Sequence, residues 1–286
     1  MSTTVLESAP SMPALLARAA LTARGRGGDL PGTRLARTGV QVDPAQLDGY
    51  GRVCRFPLTG ALPVTYPHVL AFPLQVALMS DRSFPLALPG LVHVRNRIDQ
   101  LRLVGSDEPL DLEVWAERFA RHRSGATVDL CASVSAAGEE VWRGRSTYLA
   151  RGAKAPDGAP ESDVDVAIGE VRQAATWRVP DDAGRRYAAV SGDVNPIHLS
   201  GLTAKAFGFK RAIAHGMWVK ARALAALSGR LPDAVTADVA FRKPLFLPST
   251  VVLSTAAAGD GWDLAVRNTR AGTEHLVGTV RRVDTT

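Results

Sequence analysis

The stretch YAAVSGDVNPIH, Tyr187–His198, places three polar side chains of different chemistry within six residues. Asp193 supplies a carboxylate, Asn195 an amide and His198 an imidazole. Asn195 suits the N-cap of a helix, and Pro196 suits its first position because its φ is fixed and it has no N–H to satisfy. The pattern predicts a helix that starts at Pro196, with Asp193 on the preceding turn. Two side chains that carry protons would then lie on neighbouring backbone, as general acid–base chemistry requires. Ordinary capping explains the same residues equally well.

A second stretch, GFKRAIAHGMW, contains a glycine where another helix is expected to begin. A helix that starts near Gly216 leaves its first N–H groups without acceptors inside the helix. These groups and the positive end of the helix dipole can stabilise a carbonyl oxygen that gains negative charge. Gly216 also has no side chain to block a ligand, although it could simply ease the turn. His215, directly before it, is interpreted chiefly as a structural residue that bonds backbone, with a substrate contact as its second role.

The chain repeats itself once. The segments VDLCASVSAAGEEVWRGRSTYL and WDLAVRNTRAGTEHLVGTVRRV both predict a strand, an Ala-Gly turn and a second strand. Six positions match at a constant offset of 134: Asp129, Leu130, Ala137, Gly138, Glu140 and Gly144 correspond to Asp263, Leu264, Ala271, Gly272, Glu274 and Gly278. Earlier in each half, Tyr50 corresponds to Tyr187 at an offset of 137. Long helices are predicted at about 69–84 and 217–229.

The repeated order of elements predicts an α+β fold built from two similar halves. Each half would be an antiparallel sheet wrapped around a long helix, and pairing of the sheet edges would form an internal pseudo-dimer. The predicted boundaries are an N-terminal helical segment at 1–35 and a first half without the polar motif at 36–150. A linker rich in proline, glycine and charge follows at 151–168, and the half with the polar motif occupies 169–286.

Only the second half carries the polar pair. At the corresponding positions after Tyr50, the first half has Phe56 and Ala61 in place of Asp193 and His198. A cap needed only for folding would have been useful in both copies. The asymmetry therefore favours a functional pair over a purely structural one.

Composition excludes several classes of protein. With 286 residues, 46% of them hydrophobic and 22% charged, the chain is globular in composition. Its net charge of +6 is spread over the sequence, whereas a nucleic-acid binder would concentrate it. No apolar run approaches the ~20 residues of a membrane span, and arginines interrupt the N-terminal apolar segment, so no signal peptide is expected. The 2 cysteines have no metal-site spacing, which favours a reducing cytoplasm.

These two stretches together resemble the signature of the MaoC-like, or hydratase 2, family of (R)-specific enoyl-thioester hydratases and dehydratases. The resemblance covers about Tyr187 to Gly229, and the first half resembles the family in architecture only. The paired halves look like the double hotdog members of that family, which implies an α+β double hotdog with a first hotdog lacking the catalytic motif at 36–150 and a catalytic hotdog at 169–286. The residues that carry it are Ser191, Gly192, Asp193, Asn195, Pro196, His198, His215 and Gly216. It implies catalysis by Asp193 and His198 and an oxyanion-stabilising N–H from Gly216. Some relatives support the acid with a serine on the long helix, and none stands between Met217 and Leu227 here.

The function expected is (R)-specific dehydration of 3-hydroxyacyl thioesters, or hydration of 2-enoyl thioesters, in fatty-acid metabolism. The substrate would be an acyl-CoA or an acyl thioester of acyl carrier protein, contacted by Ser191 and Asn195. Arg242 and Lys243 are candidates to meet the phosphates of the acyl carrier, although solvated basic side chains are the alternative. No cofactor is expected. No metal is expected either, because HxD and HxxxH spacings are missing.

Two other functions remain open: a non-catalytic subunit that binds or assembles acyl thioesters, and a thioesterase on the same fold. The presence of both Asp193 and His198 argues against the first, and the Ser-Gly-Asp-x-Asn-Pro pattern argues against the second. The protein is expected in the cytoplasm, with neither a membrane span nor a nucleic-acid partner, and a homodimer of pseudo-dimers is possible.

Overall fold

The computed structural model describes Ser2–Val283; Met1 and residues 284–286, at the outer ends of the predicted first and last segments, lie outside it. In the first half the elements are β1 (Ser2–Val5), α1 (Met12–Leu21), β2 (Thr33–Val40), α2 (Pro44–Cys54), α3 (Tyr66–Ser80), β3 (Leu91–Gln100), β4 (Leu110–His122), β5 (Gly125–Ala136) and β6 (Glu139–Arg151). In the second half they are β7 (Arg172–Val179), α4 (Ala183–Ser191), α5 (Pro196–Leu199), α6 (Gly201–Ala206), α7 (Gly216–Ala225), β8 (Val235–Phe241), β9 (Ser249–Ala258), β10 (Gly261–Asn268) and β11 (Glu274–Arg282).

These elements form two compact units that exchange segments of the chain. Unit 1 contains the described residues up to Gln41, together with Pro67–Asn96 and Asp107–Val164. Unit 2 contains Val42–Tyr66, Arg97–Ser106 and the described residues from Asp165 onward. The boundary at Val164 falls inside the predicted linker. The predicted domains at 36–150 and 169–286 follow the sequence without exchange, so they differ from these units at two segments.

In unit 1 the strands follow the order β1-β2-β4-β5-β6-β3. The predicted long helix is present as α3, which begins and ends earlier than expected and contains Pro73. Its apolar side chains pack with β5 and β6 in a core that includes Val76, Leu78, Met79, Val128 and Leu130. Burial of such side chains is the main favourable term in folding this unit.

The N-terminal segment is helical only over α1, where Leu15 and Ala19 are buried. The expectation of an entirely helical segment was wrong for Ser2–Val5, which pairs in parallel with the start of β2. The sequence Ser-Thr-Thr-Val favours a strand because β-branched side chains fit an extended backbone. This pairing makes the sheet of unit 1 mixed instead of purely antiparallel.

Unit 2 repeats the strand order of unit 1. Its strands follow β8-β11-β10-β9-β7, and reading from the other end gives β7-β9-β10-β11-β8, the counterpart of β2-β4-β5-β6-β3. The two predicted hairpins are confirmed as β5–β6 and β10–β11. Ala137, Gly138 and Gly272 have positive φ at their turns, a conformation that favours glycine. The internal repeat is therefore a repeat of structure.

One helix of the first half belongs to unit 2. Helix α2 packs against α4, and the corresponding tyrosines Tyr50 and Tyr187 meet with ring centroids 6.1 Å apart. The Gln46 amide donates to the Val190 carbonyl at 3.0 Å. The unit that contains the polar motif is therefore completed by a segment from the half that lacks it.

The predicted linker contains neither a helix nor a regular strand between Arg151 and Arg172. Its first part packs on unit 1, where the Thr127 hydroxyl donates to the Ser162 hydroxyl at 2.7 Å. Val166 and Ile168 pack on the core of unit 2. Within the described residues, no helix combines the length and apolar character needed to cross a bilayer.

Candidate active site

The turn between α4 and α5 holds Asp193 in a defined position. Helix α4 is capped at its C-terminus by Gly192, whose φ of 73° is left-handed and favours glycine. The Ser191 hydroxyl donates to the Tyr187 carbonyl at 2.8 Å and accepts the Asp193 N–H at 3.2 Å. The Asp193 carboxylate accepts the Asn195 N–H at 3.2 Å. Ser191, expected to contact substrate, instead has its hydroxyl bonded inside this turn, where it holds the backbone of Asp193.

The next helix, α5, carries His198. Its start agrees with the prediction, since the Asn195 side chain accepts the Ile197 N–H at 3.3 Å and Pro196 is the first residue. His198 Nδ1 lies 2.8 Å from the Ile213 carbonyl oxygen. Because a carbonyl oxygen only accepts, Nδ1 carries the proton and Nε2 keeps a lone pair. The fold thus fixes the tautomer that can accept a proton from a water molecule.

His215 joins the predicted pair from a distant part of the sequence. Its Nε2 lies 2.9 Å from the Asp193 backbone oxygen and 3.8 Å from the Asp193 carboxylate. The His215 ring stacks on the His198 ring, with 3.7 Å between their centroids. The Tyr187 ring also packs on the His215 ring, with 4.9 Å between their centroids. Its Nδ1 is buried without a hydrogen-bond partner among the described residues. The expectation of a bond to backbone holds, and the stacking on His198 is additional.

Both imidazoles are held neutral. Burial lowers the pKa of His198, and it outweighs the opposing effects of the Asp193 carboxylate and the Ile213 carbonyl. The pKa of His215 lies well below its usual range because the ring is buried and faces His198. A histidine that stays neutral keeps its lone pair available for proton transfer.

We expect the acid limb of kcat/KM for enoyl-thioester hydration to lie below pH ~6.5, the pKa of an unperturbed histidine. His198 stays neutral through that range and so keeps its acceptor nitrogen. The two buried histidines make their full contribution to the free energy of unfolding above that pH. This contribution falls as the pH drops below it, because the unfolded chain binds protons that the buried rings do not bind. A pH–rate profile measured beside urea unfolding at each pH checks both. An acid limb at or above pH ~6.5 would contradict the neutral assignment.

Helix α7 begins at Gly216, as expected. His215 is its N-cap and makes no side-chain capping bond. The Val219 N–H bonds to the His215 carbonyl, so the N–H groups of Gly216 and Met217 precede the first turn of hydrogen bonds. A Cβ on Gly216 would lie 3.0 Å from the Phe241 ring. The glycine therefore lets α7 pack closely on the Phe241 side chain of β8, in addition to leaving space for a ligand.

Sequence reasoning missed Gly184 in α4. A Cβ at this position would collide with the backbone carbonyl oxygen of His198. At the offset of 137, the first half has Leu47 there (184 − 137). The one available signal was a glycine inside a short helix, which often marks close packing. Gly184 lets α4 and α5 approach and so sets the position of His198.

The two basic residues expected to meet phosphates directly follow β8. Arg242 forms an ion pair with Asp165, and its Nε lies 3.8 Å from Oε1 of Glu274. Lys243 is exposed, and its backbone oxygen lies 2.9 Å from His275 Nδ1. Phe241, the residue before Arg242, packs at the start of α7, because its ring is the group that a Cβ on Gly216 would approach. Arg242 would have to leave its carboxylates to bind a phosphate, whereas the Lys243 ammonium is already in solvent.

A metal ion fits this cluster poorly, although Asp193, His198 and His215 each offer a ligand atom and the three atoms lie within 4.8 Å of one another. Zinc binds imidazole nitrogen in the plane of the ring at ~2.0–2.1 Å. Rings stacked at 3.7 Å and inclined by 28° cannot both direct a lone pair at one such ion. One nitrogen of each ring is also engaged with a backbone oxygen.

We expect the activity to survive exhaustive chelation, because the stacked rings do not converge on one ion. Hydration rates before and after dialysis against EDTA, with metal content measured on the same samples, provide the check. A loss that one added divalent ion restores would revive the metal interpretation.

Comparisons with known proteins identify the family of this chain. The model of the MaoC-like domain matches residues 158–279. A protein of Mycobacterium tuberculosis named 3-hydroxyacyl-thioester dehydratase X is 37% identical over 265 residues, which cover 93% of this chain and 95% of that protein. The chain belongs to the MaoC-like dehydratase family.

Solved structures of MaoC-like proteins support the fold. The crystal structure of HtdX from M. tuberculosis, 36% identical, matches with a TM-score of 0.78 over 87% of this chain and 100% of that one. A MaoC-like dehydratase from Phytophthora capsici matches with a TM-score of 0.76 over 90% of this chain and 96% of that one, at 18% identity, which shows the fold alone. The expected α+β hotdog architecture is confirmed.

Proposed function

We propose that this MaoC-like protein is a hydro-lyase that interconverts (R)-3-hydroxyacyl thioesters and 2-enoyl thioesters in fatty-acid metabolism. The observation that carries the proposal is the cluster of one carboxylate and two buried imidazoles, whose nearest polar atoms lie within 4.8 Å of one another, beside the start of α7. The 37% identity to a named 3-hydroxyacyl-thioester dehydratase over nearly the whole chain supports it. The substrate class is the one that this relative's name states.

The resting states of Asp193 and His198 suit the addition of water. His198 Nε2 accepts a proton, and the Asp193 carboxylate, with 26% of its surface exposed, is a second acceptor. A water molecule between them gives up its proton as its oxygen bonds to Cβ of the enoyl chain. A proton is returned to Cα, so the net change is one added water. Dehydration is the same sequence in reverse, with the leaving hydroxyl protonated by the pair.

The N-terminus of α7 supplies the stabilising partner for charge. As the C–O bond forms at Cβ, negative charge moves to the thioester oxygen. The Gly216 N–H, held in place by packing on Phe241, donates to that oxygen, and removing one such donor typically costs ~100-fold or more in rate. Asn195 is assigned the orientation of the water in addition to its cap.

Absorbance of a 2-enoyl thioester separates this function from its rivals. Mixing crotonyl-CoA with the purified protein is expected to remove the enoyl absorbance without releasing thiol, because water adds to the double bond. Release of free thiol would indicate a thioesterase. Unchanged absorbance, together with binding of the thioester, would indicate a subunit that only binds.

The carrier, compartment and oligomeric state complete the proposal. The thioester is carried by coenzyme A or by acyl carrier protein, and the protein acts in the cytoplasm as a pseudo-dimer that can pair again.

Burial raises the pKa of the Cys54 and Cys131 thiols to about 12, so both are poor nucleophiles and suit a structural role.

A further inference from the structure

The segment directly after the catalytic motif is basic and partly apolar at its surface. Between Asp193 and Asp233 there is no acidic residue, although the chain has 28 of them. The basic residues in this stretch are Lys205, Lys210, Arg211, Lys220, Arg222 and Arg230. Lys205, Lys210 and Arg211 are exposed, and these three side chains form no ion pair within Ser2–Val283. Their charges are therefore available to a partner.

Helix α6 presents a protruding apolar side chain among these charges. Leu202 is 82% exposed and Phe207 is 48% exposed. Leu202, Lys205 and Ala206 lie on one face at spacings of three and four residues. The opposite face is anchored, since Ala204 is fully buried and the Thr203 hydroxyl donates to the Pro196 carbonyl. We call Leu202, Lys205, Phe207, Lys210 and Arg211 the α6 surface.

The α6 surface lies next to the proposed chemistry. The same Thr203 bond ties α6 to Pro196, the first residue of the helix that carries His198. After α6 the chain returns to that helix, because the Ile213 N–H donates to the Ile197 carbonyl at 3.1 Å. A partner bound on α6 would therefore be close to the helix that carries His198.

The shape and charge of the α6 surface fit a protein better than a nucleotide. Small-molecule sites are concave, whereas Leu202 protrudes from a short helix. Burial of its side chain therefore requires a pocket on the partner. An apolar anchor surrounded by charges is the usual form of a protein–protein contact. Discrete acyl carrier proteins are small, acidic and helical, and they hold the acyl chain as a thioester on a flexible arm.

We propose that the α6 surface docks an acidic acyl carrier protein, so that the substrate of this protein is carrier-bound. The proposal rests on the thioester chemistry of Asp193 and His198 proposed above. Lys205, Lys210 and Arg211 attract the acidic face of the carrier, and Leu202 and Phe207 pack against it. Arg242, already paired with carboxylates, is not needed for this contact.

The test measures binding and turnover separately. Fluorescence anisotropy of a labelled holo-acyl carrier protein without an acyl chain reports docking independently of catalysis. Initial rates with crotonyl-carrier protein and crotonyl-CoA report use of each substrate. The variants are Lys205→Glu with Lys210→Glu, Leu202→Asp alone, and Lys154→Glu as an exposed basic control in unit 1.

We expect both α6 variants to weaken carrier binding and to raise the KM for crotonyl-carrier protein by ~10-fold or more, with rates on crotonyl-CoA within about twofold of wild type. Added NaCl should weaken carrier binding to the wild type, and the Lys154 variant should match the wild type throughout. Failure of the wild type to bind the holo carrier would overturn the proposal, as would equal losses on the two substrates. Intact binding without hydration of either thioester would refute the proposed activity and leave the docking surface standing.

Discussion

Asp193→Asn and His198→Gln are each expected to lower kcat for hydration of crotonyl-CoA by ~100-fold or more, the usual size of lost proton-transfer catalysis. Asparagine keeps an oxygen that can accept the Asn195 N–H, so the turn should persist, but an amide cannot take up the proton. Glutamine can still donate to the Ile213 carbonyl, but it loses the basic ring nitrogen. The loss should appear in kcat more than in KM, since the proton moves in the transition state.

Matched controls separate chemistry from folding. Asp181→Asn makes the same change at an exposed position of unit 2 and should leave kcat unaltered. Circular dichroism and urea unfolding should show that both site variants remain folded. Near-normal hydration by a folded Asp193 or His198 variant would remove that residue from the mechanism.

Gly184→Ala is expected to lower both the rate of hydration and the free energy of unfolding. The added methyl group would occupy the space of the His198 carbonyl oxygen, so α5 must move away from α4. That movement shifts a ring held by Ile213 and stacked on His215. A displacement of ~1 Å at a catalytic group can cost ~100-fold in rate, and overpacking typically costs ~1–3 kcal/mol of stability.

The sign of the stability change makes this prediction diagnostic. In an unobstructed helix, glycine to alanine usually adds up to ~1 kcal/mol because alanine is the better helix former. Gly60→Ala, where a Cβ meets nothing within 4 Å, serves as the control and should be nearly neutral for kcat and for urea unfolding. A Gly184→Ala protein that is both more stable than wild type and fully active would show that α4 and α5 are not in close contact.

The parts of the site that could be predicted from the sequence depend on local chemistry. The cap at Asn195, the helix start at Pro196 and the spacing of Asp193 from His198 lie within a few consecutive residues. The hairpins were predictable because their strand and turn residues occur twice in the same order. Local patterns of this kind constrain the backbone directly.

The missed features depend on packing between distant residues. His215 reaches Asp193 across 22 positions, and only the position of α7 against the turn determines that its ring stacks on His198. Gly184 meets a carbonyl of another helix, and a glycine inside a short helix signals close packing without identifying that partner. Ser2–Val5 was assigned to a helical segment because four residues are too few to show the alternation of polar and apolar side chains that predicts a strand.

The placement of α2 has a consequence for the history of a duplicated chain. A copy without Asp and His at the matching positions would ordinarily be free to drift or to be deleted. Here Val42–Tyr66 from that copy completes the compact unit that holds the polar motif, and the ring of Tyr50 packs on Tyr187, whose ring packs on His215. Selection on the half with the polar motif therefore also acts on the other half, and a gene encoding only the second half would lack part of that compact unit.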